Sequence, residues 1–394
     1  MTTVPARVRS IELPPFDPLN LRAAELRTAG HDVISLGQAL PFYGPPPSAL
    51  AAARAALDTR EVNLYVTDPG LPALRSTLAE RLAAYGVSAS AADIIITAGA
   101  NHAFTLALLT MVDPGDEVIL PAPYFTNHQM AAAALDAIPI EAPVQDRDTF
   151  RVRWTDIEPH LTARTRAVVL CNPSNPTGAV IDAVEGQRIV SECAARDVVV
   201  FSDETYLQFV YGRAHWSAAA SPAWRRNVVV IGTFSKSFGM MGWRVGFMLA
   251  DAGICAEAVK IQDAMIICAP AIGQMAALGA LREDWTYADS FHPEFLKRRA
   301  ALIDGVRQVP QLHWTPTDGA FFGFVRVDGC SNSRALAESI LDEAHVVAIP
   351  GSAFGASGEG HLRLSYGSAS VADVTEAMRR LAVYFVARTE RRAV

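Results

Sequence analysis

The chain has 394 residues, 51% of them hydrophobic and 19% charged, with a formal net charge of -7 at neutral pH. That length predicts two domains with sizeable cores, and the acidic balance with scattered Lys and Arg argues against nucleic acid or an anionic membrane as a partner. The five cysteines (Cys171, Cys193, Cys255, Cys268, Cys330) are isolated and odd in number, which suits a reducing, cytoplasmic setting and fits neither a disulfide framework nor zinc spacing.

Met1 to Ser10 lacks the apolar centre of a signal peptide. The proline-bearing opening (Pro14, Pro15, Pro18) is expected to run along the surface of a smaller domain. From Ile94 onward, short apolar β-branched runs alternate with alanine-rich helical stretches. Ile94 to Thr97 reads as a buried strand, Gly99-Ala100-Asn101 as a turn, and His102 to Met111 as a helix. Glu117 to Leu120, Ala167 to Leu170, Val198 to Ser202 and Val228 to Gly232 continue the strand series. Apolar strands spaced by helices predict an α/β fold, a mostly parallel sheet sandwiched by helices. Ala264 to Leu281 is uncharged over about 18 residues, the lower limit for a membrane span. Pro270, Gly273 and Gly279 interrupt it, so a buried helix with its preceding loop is expected. After about Asp284 the texture changes. Glu294 to Val306 reads as an amphipathic helix, and Gly323 to Val327 and His361 to Ser365 as half-buried strands. The predicted division is residues 45–284 for a large domain and 1–44 plus 285–394 for a smaller α+β one.

In open α/β sheets, ligands collect beyond the carboxyl ends of the strands. Asn101, Phe125, Asn175, Asp203, Ser235 and Lys236 all follow predicted strands closely. Lys236 sits in Ser235-Lys236-Ser237-Phe238-Gly239, with Arg244 further on. An amine can form a Schiff base, and a hydroxyl with a guanidinium can hold a phosphate. Together they describe a site for pyridoxal 5'-phosphate. The Gly99-Ala100-Asn101 turn opens a helix, so its N–H groups could complete a phosphate cup. Asp203 is either a helix N-cap or the acid that keeps a pyridine nitrogen protonated, with Tyr206 beside it. Asn172-Pro173-Ser174-Asn175-Pro176-Thr177-Gly178 is a rigid loop that would aim the Asn175 amide. Phe125 is either core or a face for the pyridine ring. Arg363, in an apolar strand, needs an anionic partner: a substrate carboxylate or a local Asp or Glu.

These motifs resemble the fold type I class I/II aminotransferases over nearly the whole chain. The resemblance also rests on L-Y-V-T-D-P-G-L-P-A-L-R (Leu64 to Arg75), A-G-A-N (Ala98 to Asn101), D-P-G-D-E-V (Asp113 to Val118), P-x-P-Y-F (Pro121 to Phe125), D-E-T-Y (Asp203 to Tyr206) and H-L-R-L-S-Y (His361 to Tyr366). It implies that Lys236 carries the Schiff base and moves the proton at Cα, and that Asp203 pairs with the pyridine nitrogen. It implies that Tyr206 and Asn175 bond the ring oxygen and that Phe125 stacks on the ring. Ala100, Asn101, Ser235 and Arg244 would hold the phosphate, with Thr233 a lesser candidate. Tyr65 would reach the phosphate of the neighbouring subunit, making the active unit a homodimer. Arg363, helped by Asn175 and the Gly37 backbone, would clamp the α-carboxylate. Ala122-Pro123 and Asn175-Pro176 match positions that are cis in relatives.

The glycine motif beginning at Leu36-Gly37-Gln38 is similar to the kynurenine, aromatic and methionine branch. His102 stands where aspartate enzymes of similar pattern carry a lysine, and is otherwise expected on a helix surface. The expected activity is therefore ping-pong transfer of an amino group from a large apolar amino acid to a 2-oxo acid. Phe16, Phe42, Tyr43 and Phe354 are the candidate pocket walls. A β-lyase, cyclase or oxidase outcome on the same scaffold is the first alternative, and a non-catalytic ligand-sensing regulator the second.

Overall fold

The structure, a computed structural model, describes residues 3–283 and 285–393. Asp284, where the sequence reading sets the domain boundary, lies outside them. The main sheet has strands β1 (Ile94–Thr97), β2 (Glu117–Ala122), β3 (Ile138–Pro143), β4 (Thr165–Cys171), β5 (Val199–Asp203), β6 (Val228–Thr233) and β7 (Gly246–Leu249). Its seven strands lie in the order β1-β7-β6-β5-β4-β2-β3. Only β7 is antiparallel to its neighbours, pairing with both β1 and β6; the remaining pairs are parallel. β1, β2, β5, β6 and β7 are buried along their whole length. That is why they read as continuous apolar runs rather than alternating ones.

β3 and β7 are strands the sequence reading passed over. β3 carries Pro139 and Pro143 and lies at the sheet edge, where missing N–H donors are tolerated. β2 runs through Pro121 to Ala122, two residues beyond the expected stop. Its pairing to β4 ends at Ile119, before the proline. The 264–281 run ends in the expected helix (Ala271–Glu283) after a turn with Ile267 at φ 64°, but its first residues close another helix (Ala252–Ile266) rather than forming a loop. Among the described residues, no helix is long and apolar enough to cross a membrane.

A second, antiparallel sheet comprises β8 (Leu312–His313), β9 (Phe322–Val327), β10 (Ile349–Pro350) and β11 (His361–Ser365), ordered β10-β11-β9-β8. Every residue of β11 is buried, not every other one as expected. The helices His292–Arg307, Ser333–Ala344 and Val371–Ala393 belong to the same part of the chain, and their buried side chains share one apolar cluster with β9 and β11. The opening segment lies against this part of the chain, as expected. Phe16–Thr28 is a helix, with Pro18 in its first turn, where the missing N–H costs nothing. It buries Leu19, Ala23 and Leu26 against Phe324, Leu341, Val347 and Phe354. This docking brings the helix's first turn to the edge of the cleft described next.

Candidate active site

A cleft of about 410 Å³ opens where β4, β5 and β6 end. Gly37, Ala100, Asn101, Phe125, Asn175, Asp203, Tyr206, Ser235, Lys236, Arg244 and Arg363 all line it. Of the residues expected to bind cofactor or carboxylate, Tyr65 is absent from the lining and stands 78% exposed on its own chain, and of the expected pocket walls Phe16 alone lines the cleft.

Lys236 follows β6, and its Nζ donates to the Ala39 carbonyl at 2.7 Å. Burial is the main cause that lowers the amine from 10.5 to about 8, with Arg363 and Arg244 acting the same way and Asp203 opposing them. The backbone around it is anchored from behind. The Tyr43 hydroxyl donates to the Lys236 carbonyl at 2.9 Å. Gly239 has φ 61°, and a Cβ there would press on the Tyr43 and Gly44 backbone at 2.7 Å. Tyr43 is thus a brace, not the pocket wall expected: its ring stacks on Phe291 at 4.1 Å. Phe42 joins the same aromatic cluster, against Phe291 and Phe295, and neither residue lines the cleft.

Asp203 ends β5. Its Oδ2 lies 3.0 Å from His128 Nε2, and its Oδ1 accepts the Thr205 N–H at 3.0 Å. Burial alone would raise this carboxyl, but the His128 and Thr205 hydrogen bonds outweigh it and hold the group below the ordinary carboxylate range. The side chain therefore makes a local turn to Thr205 and a buried contact with the His128 ring, rather than capping a helix. His128 was missed in the sequence. It lies on the helix Thr126–Ala134, in edge contact with the Phe125 ring at 5.3 Å. Its only signal was a spacing of three from Phe125, which places the two side by side on a helical turn. Burial pushes the Tyr206 hydroxyl far above its usual value, so it is a neutral donor.

At the other end of the cleft, the helix Ala100–Met111 points its first turn at Arg244. Arg244 is left-handed (φ 51°), and its Nη1 and Nη2 donate to Met241 O and Ala98 O at 2.9 and 3.2 Å. Gly99 has φ 87°, and a Cβ there would collide with the Arg244 guanidinium. The close approach thus requires glycine twice over. Thr233 Oγ1 lies 2.9 Å from Ser235 Oγ and accepts the Ser235 N–H at 3.1 Å. Helix N–H groups, a hydroxyl pair and a guanidinium form a cradle that fits a phosphate. His102 is not on the surface as expected. It is partly buried, and its Nδ1 accepts the Ala98 N–H at 3.0 Å, which steadies the same turn.

Arg363, on β11, is 2% exposed. Nη1 donates to Asn175 Oδ1 at 2.8 Å and Nη2 to the Gly37 carbonyl at 2.6 Å. Nε is buried with no hydrogen-bond partner. The local Asp or Glu considered from the sequence is not there: among the described residues, no carboxylate pairs with this guanidinium. The rings of Phe322, Phe354 and Phe16 flank it at 5.1, 5.1 and 5.6 Å. A buried cation held only by neutral acceptors, with a donor to spare, is suited to an incoming carboxylate. Ala122-Pro123 and Asn175-Pro176 are cis as expected, and Asn172-Pro173 is also cis.

The profile of the family "Aminotransferase class I and II" matches residues 31–381. The chain is 32% identical over 354 residues to an aspartate aminotransferase of Pyrococcus horikoshii, covering 89% of this chain and 90% of that one. It is also 32% identical over 355 residues to aromatic-amino-acid aminotransferase 2 of Thermococcus litoralis, with the same coverage. The crystal structure of an aromatic aminotransferase from Pyrococcus horikoshii superposes with a TM-score of 0.86 at 32% identity, over 93% of this chain and 99% of that one. Enzymes named for aspartate and for aromatic amino acids thus match equally well. A lysine and a phosphate cradle at the strand ends, with a carboxylate-seeking arginine across the cleft, agree with these likenesses. The chain belongs to the class I and II aminotransferases of fold type I, pyridoxal 5'-phosphate enzymes that pass an amino group from an amino acid to a 2-oxo acid in two half-reactions.

Proposed function

We propose that this enzyme takes its amino group from a large apolar amino acid (phenylalanine, tyrosine, tryptophan or methionine) and works as a cytoplasmic homodimer. The observation that carries the assignment of the site is the buried Arg363, which lacks a counter-anion and keeps a free Nε donor. An α-carboxylate would complete it. Lys236 would hold the cofactor aldehyde, and Asp203, kept ionised by His128, would hold the proton on the pyridine nitrogen. Tyr206 and Asn175 would donate to the ring oxygen, and Phe125 would cover the ring. Ala100, Asn101, Ser235 and Arg244 would hold the phosphate, with Tyr65 of a second copy, whose exposure leaves it available. When bound, the cofactor supplies an electron sink for the pair left at Cα once its proton is removed. Lys236, whose amine burial lowers from 10.5 to about 8, is the group that takes and returns that proton.

The preference for large apolar donors is supported by Phe16 and Leu40 in the cleft lining and by Phe354 behind Arg363. Isolated thiols support the cytoplasmic setting. Separate apolar clusters around the two sheets support a division into residues 45–284 and residues 1–44 with 285–394. The test is a half-reaction. Phenylalanine added without an oxo acid should bleach the visible band of the bound cofactor and release one equivalent of phenylpyruvate. Comparable turnover of aspartate and phenylalanine would overturn the substrate preference. Continuous ammonia release would point to lyase or oxidase chemistry instead.

A further inference from the structure

The cations lining the cleft are Lys236, Arg244 and Arg363, and its acids are Asp203 and Asp17. Under the reading proposed above, on which this inference rests, all three cations are spoken for, Lys236 by the cofactor aldehyde, Arg244 by the phosphate and Arg363 by the α-carboxylate. Asp203 is engaged by His128 and Thr205. Asp17 is left over. It lies in the first turn of the helix Phe16–Thr28, and Asn20 stands three residues on, on the same helix face. Both line the cleft. Among the described residues, neither side chain makes an ion pair or hydrogen bond. The neighbouring Phe16 ring is 5.6 Å from the Arg363 guanidinium carbon, so this turn borders the place where an α-carboxylate would be held. The turn also lies ahead of residues 31–381, the segment matched by the family profile. Among the described lining residues, no cation remains for a second carboxylate on the substrate.

We infer that Asp17, with Asn20, is a specificity-determining residue. Asp17 repels a substrate side chain that ends in a carboxylate, and the pair accepts a hydrogen bond from one that ends in an N–H or O–H donor. The cleft therefore takes an aromatic amino acid tipped by a donor, such as tyrosine or tryptophan, ahead of a dicarboxylic one. The rejection works through an introduced repulsion rather than through fit alone.

The experiment compares kcat/KM for glutamate, tyrosine and phenylalanine in the holoenzyme, in Asp17→Ala and in Asp17→Lys. Exposed charges a few ångströms apart are screened, so the expected effect is moderate. The glutamate-to-phenylalanine ratio should rise about five- to tenfold in Asp17→Ala and further in Asp17→Lys. The tyrosine-to-phenylalanine ratio should fall in Asp17→Ala. Added salt should raise the glutamate ratio in the native enzyme more than in Asp17→Ala. A misplaced helix would lower all substrates together and would not order the three proteins by charge. Ratios unchanged within about twofold in both variants overturn the inference, as does native turnover of glutamate equal to that of phenylalanine. If the native enzyme uses no aromatic donor, the substrate reading above fails separately. Glutamate is then compared with the neutral amino acid that is used, and the order of the three proteins still decides.

Discussion

Removing the Arg363 guanidinium isolates the energetics of carboxylate binding. The group is 2% exposed, and its present partners, Asn175 Oδ1 and Gly37 O, are neutral. In Arg363→Ala an amino-acid substrate would bring its α-carboxylate into a buried site without a countercharge. An uncompensated buried charge costs about 3–5 kcal/mol. At about 1.4 kcal/mol per decade, that is roughly a 10²- to 10⁴-fold loss in kcat/KM. Arg363→Lys should fall between, because a point charge cannot replace a planar fork. The assay is single-turnover loss of the cofactor's visible band with phenylalanine, and with phenethylamine, which has no carboxylate. Phenylalanine should suffer the full loss, while the amine changes by less than about tenfold. Equal losses on both would refute the reasoning, since the arginine would then be acting on the fold or the cofactor rather than on the substrate carboxylate.

Lys236→Ala should abolish the visible Schiff-base absorbance and essentially all turnover; a variant that keeps both would remove the central residue of the site. Asp203→Ala should retain bound cofactor, seen by its release on denaturation, and slow Cα deprotonation by about 10²–10⁴ or more. Full activity in that variant would mean the pyridine nitrogen has another partner. The Lys236 amine, lowered to about 8 chiefly by burial and then by Arg363 and Arg244, is protonated below that pH and neutral above it in the cofactor-free protein. Cofactor uptake should therefore accelerate with rising pH and level off above about 8, and Arg363→Ala should move that midpoint upward; a rate independent of pH across this range would contradict it. Because the folded value lies below the unfolded 10.5, the unfolded chain binds more protons between the two. This group's contribution to the stability of the cofactor-free form should thus increase as pH rises from about 8 to 10.5, which melting temperatures would show.

Much of the fold was legible because burial on both faces leaves a plain mark. β1, β5 and β6 are uninterrupted apolar runs, and their ends mark the positions of Asn101, Asp203 and Lys236 along the chain. β3 and β7 were not legible, since prolines interrupt the edge strand β3 and β7 is only four residues long and opens on a glycine. His102 and Tyr43 were misplaced for a related reason. Each has its role through a hydrogen bond to a backbone group, His102 to Ala98 N–H and Tyr43 to Lys236 O, and backbone partners carry no sequence signature. His128 was hidden because its link to Asp203 joins residues on separate elements.

By itself the sequence determined which chemistry the chain could perform. A lysine with a hydroxyl and an arginine nearby, an acid after a buried strand, and an Asn-Pro loop are covalent facts about reactive groups and backbone rigidity. Only the tertiary structure decided how those groups are charged and which of them meet. Burial lowers the Lys236 amine, packing strips Arg363 of any carboxylate partner, and docking of the Phe16–Thr28 helix carries Asp17 to the mouth of the cleft. Desolvation and long-range approach belong to the folded arrangement, and no spacing along the chain encodes them.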